Sequence, residues 1–366
     1  MFNDKEDILM KDFTEYKGSD SVIDGSPCFT AGTMVYTFEG MKPIEDISVG
    51  ELVYTHKHRF RPVTATGSKK AEVDKIYAQG IPDYMFAGNP LFYISHMKEG
   101  WNDEMDCIGK QFSEPEWVPA SKLTYDGEMK DYLSSPIITE EYNPPSLDAK
   151  TCWLLGRYVA DGYYIENCCV PQLVIPVDKD KLAHFVEMAN CPSFDYSVRY
   201  PKSTYRCVFI DTRLVSLVTD HDFGKEAQDK NIPNMILQLP RTLAESFLEG
   251  YLSGGGSFDG KRISFPCTTK SKRLAYSLAL LIQKVYRCNT DVSFRIDPSY
   301  HVEGVGTRHY DIWWTVTFDR LSKVERIGDD IYTPYVLREP AGMKTVYGIS
   351  VDEDESYLAN NRFVHN

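Results

Sequence analysis

Residues 28–56 read CFTAGTMVYTFEGMKPIEDISVGELVYTH, and residues 346–366 read VYGISVDEDESYLANNRFVHN. Both consist of short β-branched and aromatic runs broken by Gly, Pro, Asn and Asp, the composition of half-buried strands joined by tight turns. The same pattern fills the chain to about Leu133, in RPVTATG, KIYAQG, LFYIS and EWVPA. The closing stretch of about 40 residues is too short to hold a core alone. It is therefore assigned to the same unit as the first, which predicts one all-β domain divided by an insertion.

The inserted stretch changes period. WLLGRYVADGYY, KDKLAHFVEMAN, RTLAESFLEGYL and SKRLAYSLALLIQKVYR carry apolar residues at helical spacing. They alternate with the strand-like LVIPV, YRCVFI, RISFP and WWTVTF, so residues 147–326 are expected to form an α+β unit. The remaining divisions are residues 1–27 as a Gly-, Ser- and Asp-rich leader, 28–146 as the first part of the β unit and 327–366 as its second.

Composition narrows the class. With 42% hydrophobic residues among 366, the chain has enough apolar surface to fold, which excludes a disordered polymer. No run of about 18 uncharged apolar residues occurs, and the opening MFNDKEDILMKDFTEYKGSD is too acidic for a signal peptide, so a soluble, cytoplasmic monomer without membrane contact is expected. The 9 cysteines lack paired C-x-x-C spacing, which argues against a zinc site. Although the formal net charge is −13, the stretch from Lys261 to Arg287 carries seven basic residues and no acidic one. Such a band suits a polyanion.

Two ends carry chemistry. Cys28 opens a small-residue turn before a strand, and the sequence closes on His365 and Asn366. A thiol can attack the carbonyl of Pro27 and convert the amide to a thioester, while an imidazole protonates the next leaving amine as Asn366 cyclises onto its own carbonyl.

These blocks resemble the amino- and carboxy-terminal splicing blocks of inteins, the self-excising Hint domains. The resemblance rests on the leading nucleophile, the G-x-x-P-I-E-D-I-x-V-G-E-L run and the terminal V-H-N. It implies a flat horseshoe of strands whose two ends share one site, no external cofactor for splicing, and flanking host-protein segments as partners, with residues 1–27 as the upstream flank. The family's middle block usually carries T-x-x-H; the matching segment here is YMFAGNPLFYIS, with Asn89 before Pro90 in the place of the His, or else with the His missing by deletion, and no Thr precedes it. Gly348 and Glu355 stand where the family often has Asp and His, and His56, His58 and His96 are the nearby substitutes. Pro27 restrains the carbonyl to be attacked, and no acceptor residue follows Asn366, so the chain as written is expected to perform at most the thiol step.

In the insert, LLGRYVADGYY (154–164) and LEGYLSGGGSF (248–258) echo one another. Small residues at helical spacing let two helices approach closely, and a carboxylate at each helix end would hold Mg²⁺ for attack on a phosphodiester. The pair resembles the two LAGLIDADG motifs of homing endonucleases found inside inteins. That resemblance implies two pseudo-symmetric αββαββα halves, a duplex DNA target and metal positions at Asp161 and Gly255. The second position lacks its carboxylate, and Asp259 is too far along to replace it, so DNA binding with impaired cutting is expected. Lys261, Arg262, Lys270, Lys272 and Arg273 are the expected phosphate contacts, with Arg199, Lys202 and Arg206 on strands. The alternative is a decayed homing-type DNA-binding protein that keeps the β unit only as scaffold.

Overall fold

The computed structural model describes residues 28–102, 106–125, 128–139, 142, 144, 147–166, 171–189, 196–199, 205–209, 212–255, 264–297, 301–302, 306–307, 311–321 and 324–365. Two compact units result. One takes the chain up to Phe38, Lys42–Ile137 and the chain from Val324; the other takes Glu39–Met41 and Ile138–Lys323.

The first unit is a single β system. Its strand order runs Cys28–Thr30, Ile81–Ala87, Phe60–Ala78, Leu52–Tyr54, Met34–Thr37, Ser356–Ala359, Arg362–His365, Leu91–Asn102, Met129–Pro136, Asp330–Val351 and Glu325–Ile327. Segments from both ends of the chain alternate in that order, so neither end has a complete sheet without the other. RPVTATG and KIYAQG, two strands by sequence, are parts of one strand, Phe60–Ala78. The polar SKKAEVD between them does not break it, because Asp330–Val351 pairs alongside from Tyr335↔Ala78 to Val351↔Val63. Long-range pairing outweighs weak local propensity there. Register shifts at Tyr335/Leu337, Pro340/Met343 and Ser350/Val351 let these two long ribbons bend.

The core of this unit comes from alternate positions of the strands: Phe29, Val53, Ile76, Phe86, Phe92 and Val364 are fully buried. Burying each such side chain contributes roughly 1.5–3 kcal/mol. Its final hairpin is set by Asn360 and Asn361, whose φ values of 45° and 59° are those of a two-residue turn matching the strand twist. The Asn360 Oδ1 accepts from Met34 N at 2.8 Å, which seats the turn against the strand Met34–Thr37.

In the second unit, the helices Ala149–Asp161, Arg241–Gly255 and Lys272–Tyr286 form where the 3.6-residue pattern places them. Asp148 caps the first, accepting from Thr151 N at 2.7 Å, and Ser271 caps the third, accepting from Leu274 N. Two larger antiparallel sheets and a two-stranded one, His301–Val302 with Gly306–Thr307, accompany the helices. Of the larger two, one is ordered Tyr163–Ile165, Gln172–Val177, Tyr205–Phe209, Tyr196–Arg199, and the other Ser264–Thr269, Asp311–Asp319, Thr290–Asp297.

Candidate functional site

Cys28 begins the first strand, where Phe29 pairs with both Phe86 and Tyr347, and Cys28 itself pairs with Ala87. Its thiol is buried among Val73, Ala87 and Val346. Burial pushes this thiol above the ordinary range, and the Lys69 charge draws it part of the way back. Protonated at neutral pH, it needs to lose its proton before attacking a carbonyl.

His365 ends the last strand and pairs with Leu91 on one side and Ser356 on the other. The partner of Cys28 is thus Ala87 and the partner of His365 is Leu91, and only Gly88, Asn89 and Pro90 lie between those partners. Both chain ends are therefore registered on the two sides of one short link. Each cross-strand step is about 5 Å, and four residues span at most ~14 Å. The link itself is clamped: Asn89 Oδ1 accepts from Ser121 N at 2.8 Å and the Pro90 carbonyl accepts from Ala120 N at 2.8 Å. Asn89 lies in the link, with its side-chain oxygen turned to Ser121.

The three histidines named as substitutes have different surroundings. His96 is held by Asp131 at 2.7 Å and Glu116 at 3.1 Å, and His58 by Tyr54 and Asp330, both at 3.2 Å. His56 alone of the three shares the surroundings of His365. Its Nδ1 lies 2.6 Å from Ser356 Oγ, and its ring meets Trp117 edge-on at 5.1 Å. Trp117 meets the His365 ring edge-on at 5.3 Å, and Glu355 reaches His365 Nε2 at 3.6 Å. Neither Trp117 nor Ser356 stands out in the sequence, since a lone Trp in a strand and a Ser near a turn are ordinary. Asn366 lies outside the described residues.

The paired motif helices form the second candidate site. A Cβ on Gly156 would lie 1.9 Å from the Phe247 carbonyl oxygen, and one on Gly250 would lie 1.9 Å from that of Trp153. Only glycine permits this backbone approach, between helices that end at Asp161 and at Gly255. The site between them differs from a metal cradle. Asp161 accepts from Arg157 Nη1, and the buried Arg157 also donates to the Pro176 carbonyl at 3.0 Å. The guanidinium occupies the space beside Gly254, where a Cβ would fall 1.8 Å from Nη1. Asp161 is already neutralised by a fixed cation, and Gly255 offers no oxygen from a side chain. Among the described residues no three His, Cys, Asp or Glu side chains converge on a cation. These residues do not fit Mg²⁺. The signal was present in sequence, since Arg157 is a lone charge inside an apolar motif, four residues before Asp161.

Of the expected phosphate contacts, Lys261 and Arg262 lie outside the described residues, as does Lys202. Lys270 pairs with Asp311 at 3.0 Å and covers the Trp313 ring; Lys272 lies over Trp314 at 4.8 Å. Arg273 is already engaged, pairing with Asp222 at the surface and donating to the Met41 carbonyl at 2.8 Å. Lys284 is buried and donates to the Leu237 carbonyl at 2.9 Å. The basic run is thus not one solvated face. Arg206 is exposed on its strand. No helix among the described residues is long and apolar enough to cross a membrane.

Residues 27–81 match the family model of the Hint domain. The matched stretch lies in the first β unit, which is thus similar to a Hint domain. An iron-sulfur cluster assembly SufBD family protein of Mycobacterium tuberculosis is 22% identical over 365 residues, covering 93% of this chain and 42% of the relative. The ATP-dependent DNA helicase Hel308 of Thermococcus kodakarensis is 23% identical over 415 residues, covering 94% of this chain and 36% of the helicase. The chain thus spans about two fifths of the length of the curated relatives it matches. Among solved structures, the homing endonuclease I-DmoI in complex with DNA and Mn covers 47% of this chain and 89% of its own, at 12% identity and a TM-score of 0.31.

Proposed function

We propose that this chain is an intein that excises itself by acyl transfer at Cys28 and cyclisation at Asn366, and that its insert binds duplex DNA without cutting it efficiently. In the first step the Cys28 thiolate adds to the carbonyl of residue 27. The C–N bond breaks, a thioester forms, and the freed Cys28 amine takes up a proton. The hydroxyl or thiol of a residue placed after Asn366 then adds to the thioester carbonyl, the C–S bond breaks and the Cys28 thiol is freed; in the last step the Asn366 side-chain nitrogen adds to the Asn366 carbonyl. The bond to the following residue breaks, a succinimide forms, and His365 protonates the departing amine. A thiol that burial keeps protonated and an Asn in place of the middle-block His both favour a slow first step.

The observation that carries the reading is the adjacency of Ala87 and Leu91, the strand partners of Cys28 and His365, on one clamped link. It supports one site built from both ends of the chain. Matches to a SufBD protein and to a helicase, proteins of unrelated names, support a segment that resides in different hosts. Cutting by the insert is expected to be impaired because Asp161 is paired with Arg157 and Gly255 supplies no carboxylate.

Incubation with a strong thiol is expected to release residues 1–27, detected by mass spectrometry, and Cys28→Ala to abolish the release. With a Ser-led segment added after Asn366, ligated flanks are expected. No release in either assay would favour the alternative, in which the Hint unit is only a scaffold for the DNA-binding insert. Linearisation of a plasmid carrying the uninterrupted host site in Mg²⁺, lost in Asp161→Asn, would overturn the second half of the proposal.

A further inference from the structure

The Hint unit contains one histidine that the splicing chemistry above does not use and that nevertheless shares a wall with His365. His56 follows the strand Leu52–Tyr54, far from His365 in sequence. Its Nδ1 is fixed by Ser356 Oγ at 2.6 Å, and Ser356 is the cross-strand partner of His365. Its ring meets Trp117 at 5.1 Å, and Tyr93 meets both Trp117 at 4.9 Å and His56 at 5.6 Å. Trp117 in turn presents itself to His365 at 5.3 Å.

We propose that His56 is a positioning residue for His365: anchored by Ser356, it holds the Trp117 indole as the wall against which the His365 ring is oriented. This rests on the reading that His365 assists release at Asn366. Along the sheet Ser356 and Leu91 are the strand partners of His365, and the Trp117 ring meets its imidazole edge-on. Rotation of an imidazole away from a leaving group costs orders of magnitude in rate.

The charges around the pair suit an anchor rather than a second acid. Burial lowers the His56 imidazole from its ordinary value, Lys57 and His365 lower it further, and Asp354 and Asp330 oppose them. A neutral ring can accept the Ser356 proton at Nδ1. Glu355 and Tyr93 complete the set of titratable neighbours on the facing elements.

The test uses the full chain followed by a short downstream peptide and measures its release, alongside thiol-induced release at Cys28 as a control for the fold. His56→Ala is expected to slow downstream release about ten- to a hundredfold and leave the thiol step unchanged. It is also expected to reduce the ring-current displacement that Trp117 imposes on the His365 ring protons, read by NMR on the chain as it stands. His56→Phe keeps a ring against Trp117 and is expected to recover part of both signals. A His56→Phe variant as slow as His56→Ala would overturn positioning, as would an unchanged ring-current signal in His56→Ala. His365→Ala separates the two claims. If it stops release while His56→Ala does not slow it, this inference alone falls; if it leaves release intact, the reading of His365 falls with it.

Discussion

Gly156 and Phe247 touch backbone to backbone: a Cβ on Gly156 would sit 1.9 Å from the Phe247 carbonyl oxygen and 2.9 Å from the Tyr251 nitrogen. The neighbour is backbone, so nothing flexible can yield. Gly156→Ala is therefore expected to force the two motif helices apart and destabilise the insert by roughly 3 kcal/mol or more, seen as a lowered urea midpoint. An unchanged midpoint would mean that the helices are not packed this closely.

Arg157 and Asp161 form a self-contained ion pair, so removing the cation alone should not create a metal site. Arg157→Leu is expected to leave Mn²⁺ binding undetectable by calorimetry, because a single carboxylate remains. Gly255→Asp combined with Arg157→Leu brings two carboxylates to the helix ends and is expected to bind Mn²⁺ measurably. Tight Mn²⁺ binding by the unaltered chain would contradict this account of Asp161.

Lys230 is buried, donates to the Gly224 carbonyl at 3.2 Å and lies over the Tyr158 ring at 3.4 Å. Burial pushes its ammonium down to about 7, against a smaller upward pull from Asp229. The unfolded chain holds this proton up to about pH 10, so it binds more protons than the folded chain between those values. Stability of the insert is expected to rise from about pH 7 toward pH 10 by a few kcal/mol at most, and to lose that slope in Lys230→Met. Urea melts at four pH values would show it; an equal slope in both proteins would reject it.

Asn360 combines a left-handed φ with a hydrogen bond to Met34. Asn360→Val loses both and is expected to cost about 2 kcal/mol, with slower downstream release because the turn sets the register of His365. Asn361→Gly accepts the same φ and is expected to be close to neutral. A thermal melt that ranks the two variants the other way would exclude this turn as the register device.

Deprotonation of Cys28 has a pH signature of its own. Because burial raises its thiol, thiol-induced release is expected to keep accelerating as pH rises past the ordinary thiol range. A plateau below pH 8 would show a thiolate already formed.

Much of this was legible without coordinates. Strand periods in TMVYTF and LFYIS and helical periods in the two motif stretches are local patterns, and the helices end at Asp161 and Gly255, the positions that the repeat aligns. What could not be seen was how side chains are spent. Arg273 and Lys284 belong to a basic run in sequence, yet one holds Asp222 and the other a carbonyl inside the fold. Asn89, expected in the place of a histidine, gives its side-chain oxygen to Ser121.

By itself the sequence determined the kinds of elements and the division of the β unit by an insert, and it named Cys28, His365 and Asn366 as the residues expected to react. Periodicity, turn chemistry and glycine spacing act over a few neighbouring residues and need no partner. Only the tertiary structure decided that Asp161 is neutralised by Arg157, that His56 and His365 share Trp117, and that two long ribbons override a polar gap. Each of those depends on groups from distant parts of the chain arriving within contact distance, about 3 Å for a hydrogen bond, and register across strands rather than order along the chain determines which groups arrive.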